Sequence, residues 1–156
     1  MFGLFKRKVR EIVSPVDGQV VDITAVPDDV FSQKMVGDGV AINPADGTFC
    51  APVDGVVSKI FPTNHAYIVT SDKDLSVMVH IGLETVALEG KGFERLVEEG
   101  SRVLTGDPVI KADMNYLREH AKDVITPVIV SEESDVKHIE KQLRIVKCGD
   151  RIMEVN

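Results

Sequence analysis

The chain has no tryptophan, only two cysteines, and aromatics at 5% of its 156 residues. Cys50 and Cys148 are too few and too far apart for a disulfide framework, so both are read as reduced thiols of a cytoplasmic protein. No apolar run approaches the roughly 20 residues that a membrane-spanning helix requires. A basic excess is missing too. The net charge of −7 argues against general nucleic-acid binding, which needs a basic face, and suits a basic partner instead. The charge is uneven, because residues 1–10 hold Lys6, Arg7, Lys8 and Arg10 and no acid. Their apolar stretch, Phe2 to Phe5, precedes the charges and is too short for a secretory signal. Residues 1–11 are read as a flexible basic tail. The sharper reading lets residues 1–10 touch an anionic membrane, with Phe2, Leu4 and Phe5 inserted.

What the chain does have is short runs of Val and Ile, punctuated by Gly, Pro, Asp and Asn roughly every ten residues. Gln19–Ile23, Val40–Ile42, Val56–Ile60, Tyr67–Thr70, Leu75–Ile81, Val109–Lys111 and Val128–Val130 read as strands. That spacing predicts an all-β sandwich or barrel, with residues 12–156 as one domain. Residues 14–23, SPVDGQVVDI, recur at 51–60 as APVDGVVSKI, with Pro, Val, Asp, Gly, Val and Ile in common. Each copy is expected to use its glycine at positive φ in a tight turn, and the pair suggests a sheet built partly by duplication. Three short helices are expected, at Phe93–Glu99, Met114–Lys122 and Asp135–Leu143, from apolar residues three and four apart.

Four histidines are present. His120 and His138 stand among charges and read as surface residues. His80 lies in LSVMVHIGLETV, where alternation sends Val77, Val79 and Ile81 to the core and Met78, His80 and Gly82 to the other face. Gly82 is expected to leave open space beside the ring. His65 follows the turn Pro62-Thr63-Asn64, and Thr63 stands where its hydroxyl could bond an imidazole nitrogen and fix the tautomer. Two imidazoles on adjacent strands could divide a phosphoryl transfer, one as nucleophile and one as N–H donor, or they could hold a metal ion. Segment 27–40 places Val30, Phe31, Met35 and Val36 among acids. It reads either as a contact surface, in which Asp28, Asp29, Asp38 and Glu84 would suit a basic partner, or as a plug under a long loop.

The stretches PVDGQVVDI, VPDDVFSQKMVGDGVAI, APVDGVVSKIFPTNHAY, VHIGLETVALEGKGF, EEGSRVLTGDPVI and TPVIVS cover roughly residues 12–131. In them the sequence resembles the glucose-type enzyme IIA family of the bacterial phosphoenolpyruvate:sugar phosphotransferase system. The resemblance implies an antiparallel β-sandwich with Greek-key and jelly-roll features and a few short helices. It implies a phosphocarrier that takes a phosphoryl group from the small carrier HPr onto His80. His65 would assist, Thr63 would orient the site, and the group would pass to a cysteine on the IIB domain of a sugar permease. Val30, Phe31, Met35, Val36, Phe61 and Met78 would form an apolar docking ring, with Asp28 and Glu84 on the partner-binding face. Glycerol kinase or transporters are possible regulatory targets of such a protein. No cofactor and no metal are implied. The chain departs from the family pattern H-F-G-[IL]-D-T in having Ile81 for the aromatic and Glu84 for Asp, which loosens any pairing between Glu84 and a partner arginine.

Two rivals fit poorly. A lysostaphin-type zinc peptidase needs an H-x-H pair and a His-x-x-x-Asp set, but Met78 and Val69 stand at two of those positions. A biotinyl- or lipoyl-type carrier domain could draw on EEGSRVLTGDPVI and on Asp72-Lys73, yet it leaves His65 and His80 without a task.

Overall fold

A computed structural model describes residues 9–71 and 75–156. Most of the basic tail, including the residues of the membrane reading up to Lys8, and the pair Asp72-Lys73 lie outside the described residues. The described strands, in chain order, are β1 (Arg10–Val13), β2 (Gly18–Asp22), β3 (Gly37–Pro44), β4 (Thr48–Cys50), β5 (Gly55–Ile60), β6 (Ala66–Ser71) and β7 (Leu75–His80). They continue with β8 (Phe93–Arg95), β9 (Arg102–Val103), β10 (Pro108–Ala112), β11 (Thr126–Ser131), β12 (Ile139–Lys141), β13 (Ile145–Val146) and β14 (Arg151–Val155). Arg10 and Glu11, placed in the tail by the sequence, pair with Val155 and Glu154.

The main sheet runs β13-β2-β3-β11-β7-β6-β5-β9, and two three-stranded sheets, β1-β14-β12 and β4-β10-β8, complete an antiparallel β-sandwich. The late strand β11 slots between β3 and β7, joining the two early blocks of strands. Alternation along β7 holds: Val77, Val79 and the following Ile81 are fully buried. Each buried side chain of this kind contributes roughly 1.5–3 kcal/mol. A second, smaller cluster of Ile23, Val26, Phe31, Ala41, Leu83, Ile125 and Ile129 lies on the other side of this sheet, with Met78 packed against it.

The two PVDG copies build the same corner twice. Each glycine opens a strand and pairs with a valine of a two-residue edge strand, Gly18 with Val146 and Gly55 with Val103. Neither glycine is among those with positive φ. Each is glycine because a Cβ would lie 2.2 Å from a facing carbonyl, that of Asn43 or of Thr70. The expected positive-φ turn is thereby replaced by a close approach of backbones. The corners match bond for bond. Asp17 Oδ1 accepts the N–H of Cys148 and Asp54 Oδ1 that of Thr105, both at 2.7 Å. Gly149 N–H donates to the Ser14 carbonyl and Gly106 N–H to that of Ala51, at 2.9 and 3.0 Å. Reciprocal bonds then tie the copies together, Val13 N–H to the Pro52 carbonyl and Cys50 N–H to the Pro15 carbonyl. Cys50 and Cys148 are free, and a hydrogen bond between the thiols pushes that of Cys50 up and that of Cys148 down.

Of the three expected helices, one forms: α2 (Met114–His120), capped by Asp113, whose Oδ1 accepts the N–H of Tyr116. The other two segments are strands. Residues 93–95 form β8, paired with β10, and residues 139–141 form β12, paired with β14. Both are matching outer strands of the two copies. Phe93, Val97, Val136 and Ile139 pack against the core from strand and turn positions, which satisfies the same apolar residues that a helix would have aligned. A short helix that the sequence did not suggest, α1 (Asp29–Ser32), is capped by Asp28.

Candidate functional site

His80 is the last residue of β7 and stands opposite Ala66 of β6. Its Nδ1 lies 2.7 Å from the carbonyl oxygen of Gly82. A carbonyl only accepts, so Nδ1 carries the proton and the lone pair of His80 sits on Nε2. Gly82 makes this bond possible through φ +76, a backbone conformation natural to glycine. It does not open space beside the ring. Gly82 is buried, and a Cβ there would meet Thr85 Cγ2 at 2.8 Å and the Asp123 carbonyl at 2.9 Å. The glycine is required by the turn that returns its own carbonyl to the histidine.

His65 is buried and immediately precedes β6. Its carbonyl accepts the N–H of Ile81 at 2.8 Å, which fixes it beside the end of β7. Thr63 Oγ1 and His65 Nδ1 are hydrogen-bonded. Between them Asn64 adopts φ 60, and its N–H donates to the Phe61 carbonyl at 2.7 Å. The two imidazoles meet edge to face with centroids 4.9 Å apart. Burial, and then the neighbouring His80, lower the pKa of His65 to about 4. Burial also lowers that of His80, against opposing pulls from the Gly82 carbonyl and the charge of Asp28. Both rings are therefore neutral at pH 7.

The other residues singled out by the sequence fall into two sets. Val30, Met35 and Val36 are exposed, at 42%, 61% and 38%, and lie on and just after α1. Phe31, on the same helix, is buried instead, with its ring 5.0 Å from that of His80. It belongs to the smaller core beside the His80 ring, as the plug reading of segment 27–40 expects, while Val30, Met35 and Val36 stay on the surface. Met78 is likewise half-buried, packed against that core. Phe61 is half-buried, its ring 5.5 Å from His65 and beneath the Lys59 ammonium. Asp28 faces His80 electrostatically while capping α1, with its Oδ1 3.0 Å from the N–H of Val30. Glu84 is exposed at φ 57, just beyond the Gly82 turn. Val86, exposed at 58% in the turn that follows, was not marked by the sequence. Nor was Arg95, whose Nε donates to Asn64 Oδ1 at 2.6 Å across 31 residues of chain. No local pattern signals a contact of that span.

The arrangement offers a half-buried imidazole with its lone pair on Nε2 and a buried, neutral imidazole beside it. Among the described residues no group of three His, Cys, Asp or Glu side chains gathers to hold a metal ion. Also among them, no helix is long and apolar enough to cross a membrane.

Comparison with known proteins gives these findings. The family model described as phosphoenolpyruvate-dependent sugar phosphotransferase system, EIIA 1, matches residues 10–136. The chain is 42% identical over 159 residues to the PTS system glucose-specific EIIA component of Staphylococcus epidermidis, covering 99% of this chain and 96% of that one. It is 46% identical over 144 residues to the PTS system glucose-specific EIICBA component of Staphylococcus carnosus, covering 92% of this chain but only 21% of that protein. Glucose permease IIA from Mycoplasma capricolum superimposes with a TM-score of 0.91 at 33% identity, covering 95% of this chain and 96% of that one.

Proposed function

Because this chain belongs to the EIIA 1 family of the phosphoenolpyruvate-dependent sugar phosphotransferase system and serves there as a phosphocarrier component, we propose that its carrier atom is Nε2 of His80. The observation behind the choice of atom is the Nδ1–H bond to the Gly82 carbonyl. The donor would be the phosphohistidine of HPr. In the transfer, the Nε2 lone pair attacks phosphorus in line as the bond to the donor imidazole breaks and its electron pair returns to the donor nitrogen. Positive charge then grows on the His80 ring. The Gly82 carbonyl and the nearby Asp28 carboxylate lie where they stabilise it. If the Thr63 hydroxyl donates into His65 Nδ1, the proton of His65 sits on Nε2 and can donate to a phosphoryl oxygen. A neutral His65 suits that task, because it adds a dipole without competing for the phosphoryl group.

The phosphoryl group would pass next to a cysteine of a IIB domain, in the cytoplasm. EIICBA relatives, which carry this module in one chain with others, support that partner. The exposed Val30, Met35, Val36 and Val86 would exclude water where the partners dock. In an assay with phosphoenolpyruvate, enzyme I and HPr, His80→Ala loses all label. His65→Ala still accepts phosphate and fails to pass it on. Acid-labile phosphate persisting on His80→Ala would overturn the assignment.

A further inference from the structure

Arg95 ends β8 and leaves its own sheet to reach the turn that carries His65. Its Nε donates to Asn64 Oδ1 at 2.6 Å. Four residues on, Glu99 Oε1 accepts the N–H of Ile60 at 2.8 Å. The two bonds grip the connection from Ile60 to His65 near both of its ends. Asn64 is held at φ 60, a conformation that side-chain-bearing residues seldom adopt, and it links Thr63 to His65. Any relaxation of Asn64 moves the Thr63 hydroxyl and the His65 ring together.

The other copy uses the same device. Lys141 ends β12 and pairs with Met153 of β14, as Arg95 ends β8 and pairs with Ile110 of β10. Its Nζ lies 2.7 Å from Asp22 Oδ1 and 2.8 Å from Asp38 Oδ1. Those aspartates bracket the segment that carries Asp28 and Phe31. Each copy thus sends a cation from the same place in its outer strand to the connection that supplies its half of the site.

We propose that Arg95 is a positioning residue of the phosphoryl-transfer site, holding Thr63 and His65 against His80 through Asn64. The inference rests on the phosphocarrier reading above. Its test uses the full chain with Arg95→Met, Arg95→Lys and Asn64→Gly. The last removes the acceptor and keeps a residue at ease at φ 60, with a looser backbone in the turn. Two quantities are read: the titration of His65 by NMR, and kcat and KM for onward transfer to a IIB domain. In Arg95→Met and Asn64→Gly the His65 pKa is expected to climb from about 4 toward 6.5 as the turn opens to water. The kcat falls about ten-fold with KM unchanged, the size expected for a small misplacement of an assisting group. The double variant is no worse than either single one, and Arg95→Lys recovers part of the loss by donating from its ammonium. Lys141→Met leaves the His65 titration in place. The proposal fails if His65 titrates as in the parent chain in both Arg95→Met and Asn64→Gly, or if their losses lie in KM alone. Should Arg95→Met not fold, Asn64→Gly decides. Failure of the phosphocarrier reading is distinct: the parent chain itself would then take no label on His80, while the titration shift would still report on the clamp.

Discussion

Asp17 and Asp54 accept the same bond at the same length in the two PVDG corners, yet the strands that leave those corners end in different chemistry. β2 runs into a turn and α1, which deliver Asp28 and Phe31 to one side of His80. β5 runs into the Pro62–Asn64 turn, which delivers Thr63 and His65 to the other. The corners are held by the same bonds to backbone groups in both copies. The far ends carry no such constraint and could diverge, one toward a buried floor and the other toward an imidazole. His80, the proposed carrier residue, lies outside the PVDG echo itself, on β7, against which both ends converge.

That contrast predicts stability and transfer to separate. The largest effect on stability belongs to the diverged end and depends on pH. His65 has its folded pKa lowered to about 4, below its ordinary 6.5, so protonation is disfavoured in the folded chain. Its contribution is full above pH 6.5 and is lost as pH falls toward 4, amounting to about 3 kcal/mol. His80, shifted the same way, adds to the slope in this window. Denaturant unfolding of His65→Gln should show most of that slope gone. An unchanged slope would place His65 in a wetter setting than the one described here. Asp22 and Asp38, lowered by Lys141 against the cost of burial, act at lower pH and leave the window clear.

A smaller effect tests the shared end. Asp17→Ala and Asp54→Ala each leave a backbone N–H without its charged acceptor, costing about 1–3 kcal/mol. The two losses should be alike, and neither should alter the rate of transfer once the variants are folded. A transfer defect in only one of them would break the equivalence of the corners.

Seven of the fourteen described strands were legible because Val and Ile runs with period two are a local signal, and alternation along β7 placed Val77 and Val79 in the core as read. The repeat was legible as an echo of six residues, although not the reason for its glycines, which lies in carbonyls facing Gly18 and Gly55 from the neighbouring strands. Phe93–Glu99 and Asp135–Leu143 misled because a short outer strand followed by a turn buries the same residues as one face of a helix. At the site, Thr63 and His65 are two residues apart and could be paired by eye. Arg95 with Asn64, and Lys141 with Asp22 and Asp38, join residues that only the folded sheets bring together. The plug reading of segment 27–40 anticipated the burial of Phe31, although not its place beside His80, which depends on α1 closing over the smaller core.

If the Gly82 carbonyl fixes the proton of His80 on Nδ1, Nε2 is reserved for phosphorus. Nitrogen-15 and phosphorus-31 NMR of the phosphorylated chain reads the bonded atom directly. A phosphoryl group on Nε2 of His80 with Nδ1 still protonated is the expected result, and a phosphoryl group on Nδ1 would overturn the choice of carrier atom.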